Sequence, residues 1–295
     1  MLSREKMFLP EVLDKMLENF AIFNIIGDIK YFGSFIGNKQ KSDFFPLLLN
    51  DSEKLNFLSF TVKKMKSSAV KPLAEFKKKF EEKEAEFQNT NNLNQENKNR
   101  ISEFKKKLKT IEYYVENLEE VFYKCCPNQG IFVLSHNDAH LINIMHTSNI
   151  EKVYLFDHEY SCYNFIGFDI ANYIIESLFY LANHQHPYYR YYRNDLRTLL
   201  NDNYFEIYLK FFELNKNKYY IEFKEYPDLE KLLDAAQSKE YYMQVMSLSS
   251  IMWSIFAVIY FDFESVWDKS AYDYFNFSID RLAIYEELLK FELKH

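Results

Sequence analysis

His136, Asp138 and His140 stand on alternate positions of the stretch SHNDAHLINIM (135–145), and Asn143 follows Asp138 by five residues. Two chemistries can be built from these residue types. A zinc site needs three or four convergent N, O or S ligands held by further hydrogen bonds. His136, Asp138 and His140 supply ligand types, with His146 and His158 nearby, but no second paired motif completes the set. Phosphoryl transfer to an alcohol instead needs an Asp to accept the hydroxyl proton. It also needs oxygen ligands for a cation that bridges the nucleotide phosphates. Asp138, Asn143 and Asp157, which closes the run VYLFD (153–157), supply those groups, and hard oxygen ligands suit Mg2+ over zinc. The plain alternative is that Asp138 caps a helix, Asn143 satisfies a turn and Asp157 ends a strand. Each serves alone, and the joint spacing favours phosphotransfer.

The surrounding chain must deliver these groups to one place. IFVLSHND (131–138) begins as a short apolar strand, and IMHTSNIEKVYLFD (144–157) reads as a hairpin about an Asn-centred turn. Upstream, EVLDKMLENF (11–20) has the spacing of an amphipathic helix, and IKYFGSFIGNKQ (29–40) reads as a strand leaving through a Gly-Asn turn. Residues 52–70 are helical in pattern. A charged stretch, 75–124, reads as two helices separated by the polar break NTNNLNQENKN (89–99). Its lysine runs are interleaved with Glu and so face solvent. After Gly167 the pattern is helical to the end. The order is a small α+β start, then a mostly helical body with one β insert carrying the polar cluster.

Composition narrows the function classes. Hydrophobic residues make up 48% of the 295, with 24 Tyr and 29 Phe against 5 Gly and 6 Pro, which favours a helical core over a turn-rich β fold. A formal net charge of −7 argues against a nucleic-acid binder and fits a cationic substrate. Cys125, Cys126 and Cys162 have no CxxC spacing, which points to a reducing compartment, and no apolar leader segment opens the chain. A cytoplasmic location is the expectation. The uncharged run YYMQVMSLSSIMWSIFAVIYF (241–261) is long enough to span a bilayer. Gln244 and four serines within it favour a buried helix over membrane contact.

Protein kinases place an Asn five residues after the catalytic Asp and a second metal-binding Asp at the end of the following hairpin. Asp138, Asn143 and Asp157 follow that order. More specifically, HNDAHLINIM (136–145) with FDHEYSCYNFIGFDIANYIIE (156–176) resembles the paired signatures of the choline/ethanolamine kinases. Those run roughly HNDLxxxNI and IDFEYxxxNxxxFDIxNxxxE. SIMWSIFAVIYF (250–261) and YDYFNFSIDRLAIY (272–285) resemble the tryptophan-bearing and closing helices of that family.

The resemblance implies a protein-kinase-like α+β fold of the choline kinase type, with a truncated N-lobe and a predominantly helical C-lobe. It implies Asp138 as the base, Asn143 and Asp157 on Mg2+, and ATP as the phosphoryl donor. Tyr160, Trp253, Phe256 and Phe277 fall where the family builds an aromatic cage, with Glu176 as its acidic partner. A quaternary ammonium is held by aromatic faces because it has no classical hydrogen bond to donate. His136, Asn137, Asn164 and Asp169 would support the loop. Phe256 and Phe277 depart from the Trp and Tyr common in the family. Leu181 replaces a frequent aromatic, and Ala139 replaces the Leu of HNDL.

The family carries a nucleotide-binding lobe with a phosphate loop and a cation before the helix matched by residues 11–20. Here ten residues precede Glu11, the counterpart of the glutamate that pairs with that cation. The organisation implied is residues 1–45 as a remnant of that lobe and hinge, and 46–295 as the helical lobe. The activity implied is ATP-dependent phosphorylation of choline or ethanolamine, the head groups of phospholipids. The alternative is a catalytically inactive pseudokinase acting as a structural or binding subunit. A small amino alcohol is the expected partner, with a protein partner or a homodimer left open.

Overall fold

A computed structural model describes residues 9–35, 51–89, 94–127, 132–147, 152–180, 183, 185–219, 234 and 236–292. In chain order its helices are α1 (Pro10–Phe35), α2 (Asp51–Asn89), α3 (Gln95–Glu116), α4 (Leu118–Cys125), α5 (Phe168–Glu176), α6 (Leu196–Asn201), α7 (Tyr204–Tyr219), α8 (Lys239–Val258), α9 (Phe263–Asp268) and α10 (Tyr274–Glu292). The strands are β1 (Phe132–Ser135), β2 (Ile144–His146), β3 (Val153–Leu155), β4 (Cys162–Phe165), β5 (Phe179–Tyr180) and β6 (Arg190–Tyr191). The chain divides into two units. One comprises Met1–Leu58, Cys126–Tyr180 and Tyr192–Ser249, the other Ser59–Cys125, Leu181–Tyr191 and Ser250–His295.

The first unit is organised by α1. Val12, Met16, Phe20 and Asn24 recur every fourth residue, flanked by Leu13, Leu17 and Ala21, and all are buried. That spacing makes one continuous helical stripe, which packs against α7, β1, β3 and α5. β1 is buried at every position and pairs antiparallel with β4, Phe132 opposite Phe165 and Ser135 opposite Cys162. β2 and β3 form the expected hairpin, Ile144 opposite Leu155 and His146 opposite Val153; its turn lies outside the described residues. α5 is buried along its whole length.

α1 corrects one expectation. The strand read over 29–40 is helix as far as Phe35, and residues 36–40 lie outside the described residues. Once a helix is nucleated each further residue adds a hydrogen bond, and Gly33 opposes it by only about 1 kcal/mol. A second correction concerns the end of the chain, which is not helical throughout after Gly167. Between α5 and α6 lie the two-residue strands β5 and β6 and irregular chain. Pro187, which lacks an N–H and restricts the residue before it, falls in that interval.

The second unit buries the charged stretch on one side only. α3 begins at Asn94, whose side chain accepts the N–H of Asn97 at 2.8 Å, and buries Ile101, Leu108, Ile111 and Val115. Its other faces form ion pairs with α2, Lys105 with Glu84 and Glu112 with Lys77, both 2.6 Å. Phenylalanines fill the core: Phe76 stacks on Phe275 at 5.0 Å, Phe80 on Phe104 at 5.8 Å and Phe104 on Phe275 at 5.1 Å. α8, which belongs to the first unit as far as Ser249 and to the second from Ser250, takes up most of the uncharged run 241–261 as a buried helix. Two of its four serines bond protein groups: Ser249 donates to Asn172 at 2.9 Å, and Ser254 to the Ser278 carbonyl at 3.0 Å; the buried hydroxyls of Ser247 and Ser250 have no partner among the described residues. Among the described residues no helix is long and apolar enough to cross a membrane.

Candidate active site

The loop leaving β1 carries the polar cluster, and hydrogen bonds fix nearly every group in it. Asn143 closes a short turn, its N–H on the His140 carbonyl at 3.0 Å. Its side-chain Nδ2 donates to Asp138 twice, to Oδ2 at 2.8 Å and to the carbonyl at 3.1 Å. The five-residue spacing therefore brings the Asp138 carboxylate and the Asn143 amide into direct contact. His140 Nε2 lies 3.4 Å from the same Asp138 Oδ2. Asp138 and Asn143 are both buried, 8% and 4% exposed, which keeps competing water away from the carboxylate.

His136 ties this loop to the hairpin. Its Nδ1 accepts the Asp138 N–H at 3.3 Å, so Nε2 carries the proton and donates to the Phe156 carbonyl at 2.9 Å. The Phe156 N–H in turn donates to the Asn143 carbonyl at 3.1 Å. Phe156 immediately precedes Asp157, so the backbone that presents Asp157 is anchored to the backbone that presents Asp138 and Asn143. Asp157 itself is exposed and left-handed at φ 65°, a conformation costing an L-residue about 1–2 kcal/mol. His136 has both ring nitrogens engaged by protein groups.

Asn137 takes the second left-handed position of the loop, φ 65°. Its Nδ2 lies within hydrogen-bond reach of the Ser135, Tyr160 and Cys162 carbonyls, at 3.2, 3.0 and 3.1 Å, and its Oδ1 accepts from Asn164 at 2.8 Å. Beneath the loop, Asp169 in the first turn of α5 accepts the backbone N–H groups of His136 at 3.0 Å and Asn137 at 2.8 Å. Burial raises the Asp169 carboxyl above the usual carboxylate range, while the neighbouring His136 and the N–H donors act in the opposite sense. Asn172, one turn further along α5, donates to the Ala139 carbonyl at 3.2 Å. Burial, and then the neighbouring His136, lower the pKa of His158.

The oxygen groups fit a hard divalent cation. Asn143 spends its N–H groups on Asp138, and no described residue donates to its Oδ1; Asp157 offers an exposed carboxylate. Asn143 Oδ1 and the Asp157 carboxylate would be the groups to hold such a cation, which as Mg2+ is commonly bound by one or two protein ligands. No group of three or more His, Cys, Asp or Glu side chains suited to a metal occurs among the described residues.

The residues matched to the aromatic cage divide between the units. In the first unit Tyr160 is half-buried in the turn after Asp157, and Glu176 is the buried last residue of α5. In the second unit Trp253 and Phe256 meet edge to face at 4.9 Å. Phe256 leads through Tyr260 and Tyr274 to Tyr272, at successive centroid distances of 5.4, 5.2 and 4.6 Å, and Tyr272 lies 5.9 Å from Phe277. Phe277 also meets Tyr189 at 5.8 Å, and the Arg281 guanidinium lies 5.3 Å from its ring centre. Tyr189, Tyr260, Tyr272 and Tyr274 escaped the sequence reading because 24 tyrosines make single ones uninformative. Asn24 and Tyr208, which also bond into the loop's support, escaped it too. Glu11 is exposed in the first turn of α1, and Leu181 lies outside the described residues.

Comparison with known proteins follows this geometry. The family model for choline/ethanolamine kinases matches residues 40–286. Among solved structures, the choline kinase of Cryptosporidium parvum Iowa II is similar with a TM-score of 0.59 and 16% identity, over 99% of this chain and 69% of that one. The ethanolamine kinase of Plasmodium vivax is similar with a TM-score of 0.45 and 15% identity, over 96% of this chain and 60% of that one. No curated protein matches.

Proposed function

We propose, since this chain belongs to the choline/ethanolamine kinase family and has its protein-kinase-like α+β fold, that it phosphorylates the hydroxyl of choline or ethanolamine with Mg2+-ATP. The contact of Asn143 with the Asp138 carboxylate, inside a loop anchored to the backbone of Asp157, is the observation that supports this reading. Asp138 Oδ2 accepts a hydrogen bond from Asn143, which leaves Oδ1 to receive the proton of the attacking alcohol. Mg2+-ATP, when bound, supplies the phosphoryl group and the charge neutralisation that phosphoryl transfer needs. Asn143 Oδ1 and the Asp157 carboxylate are the groups that would hold the cation.

The cationic end of the substrate is assigned to Tyr160, Trp253, Phe256 and Phe277, with Glu176 supplying the opposite charge. Aromatic faces attract a desolvated cation by about 2 kcal/mol. The Arg281 guanidinium already lies 5.3 Å from the centre of the buried Phe277 ring. A cage ring that already meets one cation favours the smaller ammonium of ethanolamine. Residues 1–45 are assigned to a remnant of the nucleotide-binding lobe and hinge, and 46–295 to the helical lobe.

The test is ADP release by the purified chain with Mg2+-ATP and each amine, beside Asp138→Asn. Amine-dependent turnover that falls about 10²- to 10⁴-fold in the variant supports the assignment of Asp138 as base. A folded wild-type chain with no turnover above the variant removes the kinase and leaves a binding or structural role.

A further inference from the structure

Asn24 lies on the buried stripe of α1, four residues beyond Phe20, where an unbonded amide would be strongly disfavoured. Its Nδ2 donates to the Leu134 carbonyl at 2.8 Å and to Asp169 Oδ2 at 2.9 Å. Its Oδ1 accepts from the Tyr208 hydroxyl at 2.6 Å. A side-chain amide can be turned end for end at little steric cost, but the Leu134 carbonyl and the Asp169 carboxylate both demand Nδ2. Tyr208 secures that orientation by holding the oxygen end. Its hydroxyl is fully buried on α7, and burial first of all keeps it protonated and therefore a donor. Reversing the amide would set Oδ1 against a carbonyl and a carboxylate, and Nδ2 against an O–H donor.

The orientation matters because of what Asp169 holds. The same carboxylate takes the N–H groups of His136 and Asn137, the two residues that lead into Asp138. Leu134, the other acceptor of Asn24, is the penultimate residue of β1 and lies two residues before His136, on the strand that leads into the loop. Asn24 thus touches both the strand entering the loop and the carboxylate beneath it, yet no group assigned to the chemistry.

We propose that Asn24 and Tyr208 are positioning residues for the catalytic loop: the Tyr208 hydroxyl anchors the Asn24 amide, which fixes the Asp169 carboxylate that carries the peptide groups preceding Asp138. The device joins α1, α5 and α7 to the reacting carboxylate. Its activity arm rests on the kinase reading above; its exchange arm does not.

The experiment uses the full chain as wild type, Asn24→Leu, Tyr208→Phe and the double variant. Amide hydrogen exchange at His136 and Asn137 is measured, together with kcat and KM for the amine. Each single variant is expected to speed exchange at those two amides by about tenfold or more. It is expected to lower kcat by about 10- to 100-fold with KM within about twofold, the signature of displaced reacting groups. The double variant should be no worse than Asn24→Leu, because both act through one amide. Unchanged exchange at His136 and Asn137 in folded variants overturns the proposal, as do additive losses. Should Asn24→Leu fail to fold, Tyr208→Phe, which removes one oxygen and keeps the ring, decides alone. Should the wild type show no turnover, the kinase reading fails and the exchange data still decide the positioning role.

Discussion

Gly167 opens α5, the helix that carries Asp169, and replacing it with Ala tests how tightly that helix is seated. Two separable effects oppose the new methyl group. The backbone is left-handed at φ 87°, which costs an L-residue about 1–2 kcal/mol. A Cβ built there would lie 2.1 Å from Phe205 Cε2 and 2.8 Å from Cζ. The Phe205 ring cannot retreat freely, because it stacks on Tyr242 at 4.7 Å and lies 6.1 and 6.0 Å from Tyr241 and Tyr208. The Tyr241 hydroxyl, moreover, donates to the Ile166 carbonyl at 3.2 Å, holding the chain just before the glycine. Overpacking of this kind costs about 1–3 kcal/mol. The sum is about 2–5 kcal/mol, read as a lowered urea midpoint at unchanged slope, with Tyr and Trp fluorescence as the probe. Phe205→Leu shortens the obstructing ring. Combined with Gly167→Ala it should recover the overpacking part and leave the backbone part, so the cycle shows favourable coupling of about 1–3 kcal/mol. An alanine tolerated to within about 0.5 kcal/mol, a typical surface value, would refute this account of the seating of α5, as would a cycle without coupling.

Three further outcomes follow from other parts of the molecule. Burial pushes the Cys162 thiol up to about 11, so at pH 8 its thiolate is about 100-fold scarcer than for a thiol at its ordinary value, and alkylation in a Cys125→Ser, Cys126→Ser background should be slow by that factor. The raised value also has a sign for stability: between pH 9 and 11 the unfolded thiol ionises and the folded one does not. Stability relative to Cys162→Ser therefore falls as pH rises through that window. Arg100→Ala removes a guanidinium 3.9 Å over Trp267 that also donates to the Trp267 carbonyl. It should lower stability by about 1–3 kcal/mol in a thermal or urea melt, whereas Lys105→Ala, which breaks only an ion pair on an exposed lysine, should cost less than about 1 kcal/mol.

What could be read in the sequence was what lies close together along it. Asp138 and Asn143 touch because five residues of loop and tight turn separate them, and a hairpin of ordinary length brings Asp157 back to the loop. Spacing of that kind is a geometric statement before any folding is known. The supports of the loop are another matter. Asn24 is 145 residues from Asp169 and 184 from Tyr208, and neither partner has a local pattern that announces it. One signal was present: the stripe of α1 steps from Val12 to Met16 to Phe20, and the next position on it is Asn24. A polar residue in a core register asks for a buried partner. The strand read over 29–40 concealed that register by breaking the helix before its natural continuation.

The same distinction accounts for the position of His136 at the head of the motif. On the proposed assignment, Asp138 as proton acceptor and Asp157 as cation ligand serve one reaction only if their separation is fixed more tightly than two independent loops allow. Side-chain contact between them would be repulsive, so the fixing has to run through the backbone. His136 does this with one ring: Nδ1 takes the N–H of Asp138 and Nε2 gives its proton to the carbonyl that precedes Asp157. Asn143 supplies the second tie, its carbonyl on the Phe156 N–H and its amide on Asp138. Two ties at different points restrain rotation as well as distance. A metal bound to His136 would compete for the nitrogens that make the first of them, so the ring is committed to tying the two backbones together.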